Sequence, residues 1–415
     1  MKYFEWFIAR KYFWAQRRTL STGLIAMFSA AGVTVGTWLL IFVLSAINGF
    51  EHEVKKQLIG KDAHIEVTQY QYAPIRGYDS LVQRVRAFPH VTGASPFIMS
   101  KTIISRKKNQ DGIVVYGIDS ATSHEVIGLS RTISHGKYRF HGLTDSTGRN
   151  FPGIILGYAL AARLQASIGD KVFLADFTGS GELGSSGFAP KIAPFIVAAT
   201  FESGMYQFDE SLAYISLDDG QKLFEMPGAA TGLQLRVDDP YASGPISRDL
   251  EDALGFPYRA LDWQAKNYTL IKWMAYEKIL VGLALGIIII IAAFNIISSL
   301  VMAVNDKVRE IGILRAMGAT RRGILRIFIL EGMLIGVAGS LTGTALGLLS
   351  YWLQSRYGII QLPGDVYFVT VLPVELRLTD VVSVLVVTNF LCGIATILPA
   401  IKASRHDPVE AIRHE

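Results

Sequence analysis

The residues of this chain that could carry chemistry are few, and each sits in unsuitable surroundings. Gly179-Ser180-Gly181-Glu182-Leu183-Gly184 has the glycine spacing of a dinucleotide-binding turn and follows a strand-like run. A pyrophosphate, however, is received by a helix N-terminus that opens directly after such a turn. Here the next residues are Ser185-Ser186-Gly187-Phe188-Ala189-Pro190, which suit a loop or a hairpin tip. His52-Glu53 and His124-Glu125 begin like the zinc motif H-E-x-x-H, but Lys56 and Gly128 stand where the second imidazole must be. No G-x-x-x-x-G-K-[ST] occurs, so a P-loop on this chain cannot cradle ATP. The single cysteine, Cys392, rules out an intrachain disulfide and thiol–metal clusters. A membrane-anchored enzyme would need catalytic residues clustered in 51–278, and none stand out.

Composition decides which elements must hold these residues. Of 415 residues, 50% are hydrophobic and 18% charged, with a mean hydropathy of +0.33; a soluble domain carries about 25% charge. The shortfall is concentrated. Residues 19–50, 279–305 and 381–401 contain no charge, and 327–355 contains only Glu331. A helix needs about 20 residues to cross a ~30 Å hydrocarbon core, so all four stretches are long enough. The first is too long for the ~7–15-residue core of a signal peptide and lacks a small-residue cleavage site before Glu51. A soluble enzyme, a disordered chain and a coiled-coil rod are excluded.

The first two spans enclose 228 residues, enough for a core without disulfides. Strand-like runs at 64–68, 112–118, 153–156, 171–175, 195–199, 212–216 and 232–237 alternate with helical patterns at 79–87, 157–164 and 244–254, predicting a mixed α/β domain. Loop charge sets the topology. Lys2, Arg10, Lys11, Arg17 and Arg18 precede the first span, and Lys307, Arg309, Arg315, Arg321, Arg322 and Arg326 lie between the second and third. Lys402, Arg405 and Arg413 follow the fourth, whereas the loop between the third and fourth has only Arg356 and Arg377. By the positive-inside rule both termini and the second-to-third turn are cytoplasmic, and 51–278 lies outside. That segment holds 24 Lys and Arg against 25 Asp and Glu. The pI of about 9.1 therefore reflects membrane-flanking charge and does not point to nucleic acid.

The expected layout is an interfacial helix at 1–18, spans at 19–50, 279–305, 323–353 and 380–401, and an outer domain at 51–278. A cytoplasmic turn at 306–322, an outer loop at 354–379 and a tail at 402–415 complete it. Residues 2–18 mix aromatics with bases, as a helix lying at the membrane surface does. Glu331, alone in the third span, is expected at solvated interface or against a partner.

The turn is the most informative segment. Val308, Ile311, Leu314 and, less regularly, Met317 form an apolar helical stripe beside Arg309, Glu310 and Arg315. Gly318 suits the helix end and Thr320 the N-cap of the next helix. Such a helix can lie on lipid headgroups or dock into a cytosolic partner's groove. Its core, Glu310-Ile311-Gly312-Ile313-Leu314-Arg315-Ala316-Met317-Gly318-Ala319-Thr320, resembles the signature of FtsX/MacB-type ABC permeases. Leu44-Ser45-Ala46-Ile47-Asn48-Gly49-Phe50-Glu51, Phe201-Glu202-Ser203-Gly204, Ala293-Phe294-Asn295-Ile296-Ile297-Ser298, Leu362-Pro363-Gly364-Asp365-Val366-Tyr367 and Asp407-Pro408-Val409-Glu410-Ala411-Ile412 are similar to the lipoprotein-releasing LolC/LolE branch.

The resemblance implies four transmembrane helices with a large mixed α/β periplasmic domain between helices 1 and 2. That domain would have a porter-like part built from both of its ends and an inserted β-rich part at about 116–230. It implies a permease with no catalytic site or cofactor of its own. ATP and Mg would sit on a partner ABC ATPase, a LolD-like dimer, since a span starting near residue 20 leaves no room for a fused one. A second permease subunit, a LolA-like periplasmic lipoprotein carrier, lipoprotein substrates and membrane lipid complete the expected partners, in the inner membrane of a bacterium. Related permeases that export peptide or antibiotic, or signal mechanically to a periplasmic hydrolase, are the alternative. For coupling to the ATPase the expected residues are Arg309, Glu310, Ile311, Leu314, Arg315 and Met317. For the lipoprotein's acyl chains they are Leu40, Val43, Leu44, Ile47, Phe50, Leu280, Leu283 and Ile287. The place of the family's carrier-recruiting loop falls at 177–191, with Ser185, Phe188, Pro190 and Lys191; Ser185 stands where LolC-type members often carry a proline.

Overall fold

The computed structural model describes residues 2–15, 20–145, 148–176, 190–362 and 371–405, which divide into two units. The membrane unit comprises Met1–His52, Lys272–Gln361 and Val371–Glu415; the other unit is Glu53–Ile271 with Leu362–Thr370. Four helices are long and apolar enough to cross a membrane: α2 (Leu20–Lys61), α7 (Tyr268–Asp306), α9 (Arg321–Tyr357) and α10 (Leu378–Arg405). Two shorter helices accompany them, α1 (Lys2–Ala15) and α8 (Val308–Ala316).

Helices in lipid gain little by hiding apolar surface from one another, so small residues that admit close packing decide which faces meet. Gly332, Gly336, Gly339, Gly343 and Gly347 make such a stripe along α9. A Cβ at Gly332 would lie 2.0 Å from Thr396 Cγ2, and one at Gly336 2.7 Å from Cys392 Cβ, both on α10. Cβ atoms at Gly339 and Gly343 would stand 2.9 Å from Val33 Cβ and 2.5 Å from the Thr34 carbonyl oxygen, both on α2. The stripe therefore seats α9 against α10 with one half and against α2 with the other. Around it packs a core of Val33, Ile296, Leu300, Ile327, Phe328, Ile335 and Cys392. Ala9 of α1 is buried in the same core while Phe4, Trp6 and Phe7 are exposed. Glu331, expected at solvated interface or against a partner, is wholly buried within this chain.

The other unit is built on a sheet of ten strands: β1 (Ile65–Gln69), β2 (Val91–Arg106), β3 (Asn109–Ile118), β4 (Ile133–Gly136), β5 (Gly153–Gly157), β6 (Lys171–Asp176), β7 (Lys191–Phe201), β8 (Leu212–Ser216), β9 (Gly232–Val237) and β10 (Tyr258–Asp262). β10, β1, β9 and the first half of β2 pair antiparallel in that order. Helices α3 (Tyr78–Arg86) and α6 (Ser243–Leu254) cover them. This is a split β-α-β arrangement whose core joins Ile65, Leu81, Val85, Leu235 and Leu250 from both ends of the unit. The second half of β2 continues into a different structure. β2 pairs β3, β3 pairs β8, β8 pairs β5, β5 pairs β7, β7 pairs β6, and β6 returns to β2 at Ile103–Ser105. These six strands close a ring around Ile104, Val115, Leu156, Leu174, Val197 and Ile215, leaving those edges paired. Helices α4 (Tyr158–Leu164) and α5 (Leu217–Leu223) add Leu160, Leu164 and Leu223 to that core.

His64, just before β1, is a pH-sensitive point in this fold. Its Nδ1 accepts the Val237 N–H at 3.2 Å, and its Nε2 is buried. Burial, assisted by the charge of Arg236, lowers its pKa from the ordinary 6.5. The unfolded chain therefore binds this proton more readily than the folded one. The stabilising contribution is complete above the unfolded value and is lost as pH falls through it towards the folded value. Thermal unfolding of the full chain should show a lower midpoint at about pH 5.5 than at about pH 7.5, with a smaller decrease in His64→Gln. An equal decrease in both proteins would remove His64 as the cause.

Candidate functional site

The eight residues that end the apolar part of α2 lock its neighbours in place. The Ser45 carbonyl accepts the Glu375 N–H at 2.8 Å. A Cβ on Gly49 would stand 2.5 Å from the Pro373 carbonyl carbon and oxygen, so only glycine lets that strand of chain pass. Asn48 is wholly buried. Its Nδ2 donates to Asp380 Oδ2 of α10 at 2.6 Å, and its Oδ1 accepts from Lys278 Nζ of α7 at 2.7 Å. A carboxamide offers both a donor and an acceptor, which is what an ammonium and a carboxylate demand of one neighbour. Arg377 lies beside Glu51 at 3.6 Å and bonds Glu375 through Nε at 3.2 Å.

Below this cluster the residues expected to meet acyl chains divide. Leu280, Leu283 and Ile287 are exposed. With Trp273, Tyr276, Ile291 and Phe294 they form a stripe at three- and four-residue intervals along α7, about 30 Å long at 1.5 Å per residue. Val43, Ile47 and Phe50 of α2 are half-buried. Leu40 is a correction: it is 7% exposed and packs with Ile41, Ile289, Val381 and Val384. Leu44 rests half-buried against the same cluster.

The turn between α7 and α9 holds the nine-residue helix α8. It ends in a Schellman motif: the Ala319 N–H bonds the Leu314 carbonyl and the Gly318 N–H that of Arg315, both at 3.0 Å, with Gly318 at φ +99°. Thr320 caps α9 by accepting the Gly323 N–H at 3.2 Å. The apolar stripe turns inward at Ile311 and partly at Leu314, and outward at Met317. Ile311 is 1% exposed and belongs to the core of the membrane unit, with Leu314 packed against it. Ile311 therefore seats the helix on its own spans, and Leu314 does so in part. The outward face carries Arg309, Glu310 and Met317 together with Ile313. Arg315 is half-buried. Ile313 was missed because the stripe through Ile311 was read as the docking surface; its position on the opposite side of the helix was the available signal.

Ser185 and Phe188 lie outside the described residues. Pro190 is half-buried. Lys191 opens β7 opposite Asp176, the last residue of β6, so 177–190 connects two strands of a hairpin. A strand follows it, not the helix that a dinucleotide turn requires. Lys191 Nζ donates to the Lys222 carbonyl at 2.7 Å and pairs with Glu225 at 3.1 Å, fixing the start of β7. Among the described residues no three His, Cys, Asp or Glu side chains converge to hold a metal.

A cavity of about 190 Å³ in the large domain is lined by Leu58, Tyr116, Phe201, Phe208, Tyr214 and Lys266 among others. Sequence reading did not single it out. Lys266 Nζ pairs with Asp62 at 2.8 Å and Glu66 at 2.6 Å. Burial alone would lower its pKa, but the two carboxylates outweigh burial and hold the ammonium well above its usual range. Burial raises the pKa of Tyr116 and Tyr214, so the wall around the ion pair stays uncharged apart from it.

Residues 26–253 match the MacB-like periplasmic core domain family and residues 282–408 the FtsX-like permease C-terminal family. The chain is 32% identical to the lipoprotein-releasing system transmembrane protein LolC of Xylella fastidiosa (strain 9a5c), over 98% of both chains. It is 30% identical to LolE of Haemophilus influenzae, again over 98% of both, and 29% identical to LolC of Neisseria meningitidis serogroup B, over 99% of both.

Two outcomes follow for the membrane unit. Ile311→Ala should cost about 2–5 kcal/mol of stability as a core deletion, whereas Ile313→Ala should stay within about 0.5 kcal/mol. Reversed costs in thermal melts of the purified chain would show that α8 is turned the other way. Asn48→Leu removes the shared amide and should cost about 1–3 kcal/mol. An unchanged melting temperature would mean that Lys278 and Asp380 need no bridge.

Proposed function

The chain belongs to the LolC/LolE family of FtsX-like permeases, and from that premise we propose that it extracts lipoproteins from the outer leaflet of a bacterial inner membrane and passes them to a periplasmic LolA-like carrier. It works as the transmembrane subunit of an ABC transporter, beside a second permease subunit. ATP and Mg are handled by a separate LolD-like ATPase dimer. Loop charge supports cytoplasmic termini and a periplasmic large domain.

The observation that carries this reading is the exposed stripe on α7 from Trp273 to Phe294. Exposing an acyl chain to water costs ~0.8 kcal/mol per methylene, so a cargo with three long chains would cost roughly 30 kcal/mol or more to release unassisted. A permease must therefore offer apolar surface continuously from the membrane to the carrier. Leu280, Leu283 and Ile287, with Val43, Ile47 and Phe50 of α2, supply it. Leu40 and Leu44 support that surface from behind. On the opposite side Arg309, Glu310, Ile313 and Met317 meet the ATPase. Ile311 and Leu314 transmit the load into the core.

In membrane vesicles containing the complete transporter, Leu283→Ser with Ile287→Ser should lower ATP-dependent lipoprotein release to the carrier about tenfold or more while leaving ATPase assembly intact. Met317→Asp should weaken co-purification of the ATPase. Undiminished release from the double variant would exclude the α7 stripe as cargo surface. Purification of the wild-type chain without any ATPase or lipoprotein would argue against the transporter reading itself.

A further inference from the structure

The cavity of about 190 Å³ in the large domain has no part in the transport reading. It is smaller than the ~300–1,000 Å³ clefts that take drug-sized ligands, so its occupant is small. Leu58, Ile127, Phe201, Phe208 and Leu212 give it an apolar wall. Tyr116 of β3 and Tyr214 of β8 stand directly opposite each other across the sheet, with ring centroids 5.8 Å apart. Tyr116 is only 9% exposed, and both side chains line the cavity. Among the described residues neither hydroxyl has a hydrogen-bond partner. A buried phenol ordinarily finds one, so two that share one space leave bonds for a guest to make.

Charge decides which guest. Lys266 is held by Asp62 at 2.8 Å and Glu66 at 2.6 Å, and Asp62 Oδ1 also accepts the Ala63 N–H at 2.9 Å. These contacts are all made, yet one ammonium does not neutralise two carboxylates, and it is these three charges that act on Tyr116. Asp209, 5% exposed, acts on Tyr214 as a further negative charge. The field in the cavity is therefore negative, and aromatic faces attract cations as well. We propose that the cavity binds a small organic ammonium ion with an apolar body. Its N–H groups donate to the hydroxyl oxygens of Tyr116 and Tyr214, and its hydrocarbon lies along Phe201, Phe208 and Leu212. A neutral alcohol of the same shape would bond the phenols but gain nothing from the field. A carboxylate would be repelled. The site is independent of the lipoprotein reading, because it needs only side chains of this domain.

Isothermal titration calorimetry of the full chain in nanodiscs of phosphatidylcholine tests it, with benzylamine, benzyl alcohol and benzoate as probes and empty nanodiscs subtracted. At about pH 7 the amine is charged. It should bind about fivefold or more tighter than the alcohol, and benzoate should bind weakest. Tyr116→Phe with Tyr214→Phe removes both hydroxyls and keeps both rings, and should weaken the amine about fivefold or more. Asp62→Asn should narrow the margin between amine and alcohol. Met205→Trp fills the cavity at a half-buried lining residue and should weaken the amine by a similar factor with unchanged circular dichroism; if it does not fold, the tyrosine pair decides. Equal binding of the three probes would overturn the proposal. So would tighter binding of benzoate, or amine affinity that survives the double tyrosine variant in folded protein.

Discussion

One carboxamide sets the geometry of the span ends. Asn48 stands between an ammonium from α7 and a carboxylate from α10, and each would be costly to leave unsatisfied where water is scarce. An aspartate there would repel Asp380, and a lysine would repel Lys278; only a neutral group with both polarities suits both. Because Asn48 is bonded on both sides, three spans converge at one place, and Gly49 and Ser45 admit and hold the chain that leads into α10. The start of the α7 stripe is a consequence of that convergence.

The glycine stripe of α9 does the corresponding work deeper in the membrane unit. It lets α9 contact α2 and α10 at backbone distance, so dispersion between close surfaces supplies what the hydrophobic effect cannot supply in lipid. α7 has no such stripe: nothing lies within 4 Å of a Cβ added at Gly282 or Gly286. Its exposed face is consequently large and apolar, not small and close-packed. That difference separates helices that hold the unit together from one whose apolar face stays exposed in this chain.

Much of this was legible in the sequence because it depended on local pattern. The four apolar stretches, the cap residues Gly318 and Thr320, and strands such as Gly232–Val237 each announce themselves within a few residues. What stayed hidden depended on distant partners. β2 was missed: Gly93 and Pro96 interrupt its alternation, yet Pro96 is accommodated opposite Leu233 within an antiparallel pair. The closure of six strands into a ring rests on Ile103–Ser105 meeting β6, a pairing no local window contains. The Asn48 cluster was visible as a motif but not as a bridge, since Lys278 and Asp380 lie far along the chain. Lys266 gave no signal at all, being one lysine among many until Asp62 and Glu66 are brought to it.

The direction of the α8 stripe carries the most mechanical meaning. Had Ile311 faced outward, a partner could displace α8 by itself, and the short connections at Lys307 and Gly318 would absorb the motion. With Ile311 set among Val304, Ile324, Ile327 and Phe328, the helix cannot shift without disturbing residues of both α7 and α9. Close-packed interiors are stiff and pass displacement on. Force applied at Ile313 or Met317 therefore reaches the helix bearing the exposed stripe and the helix bearing the glycines through one contiguous core.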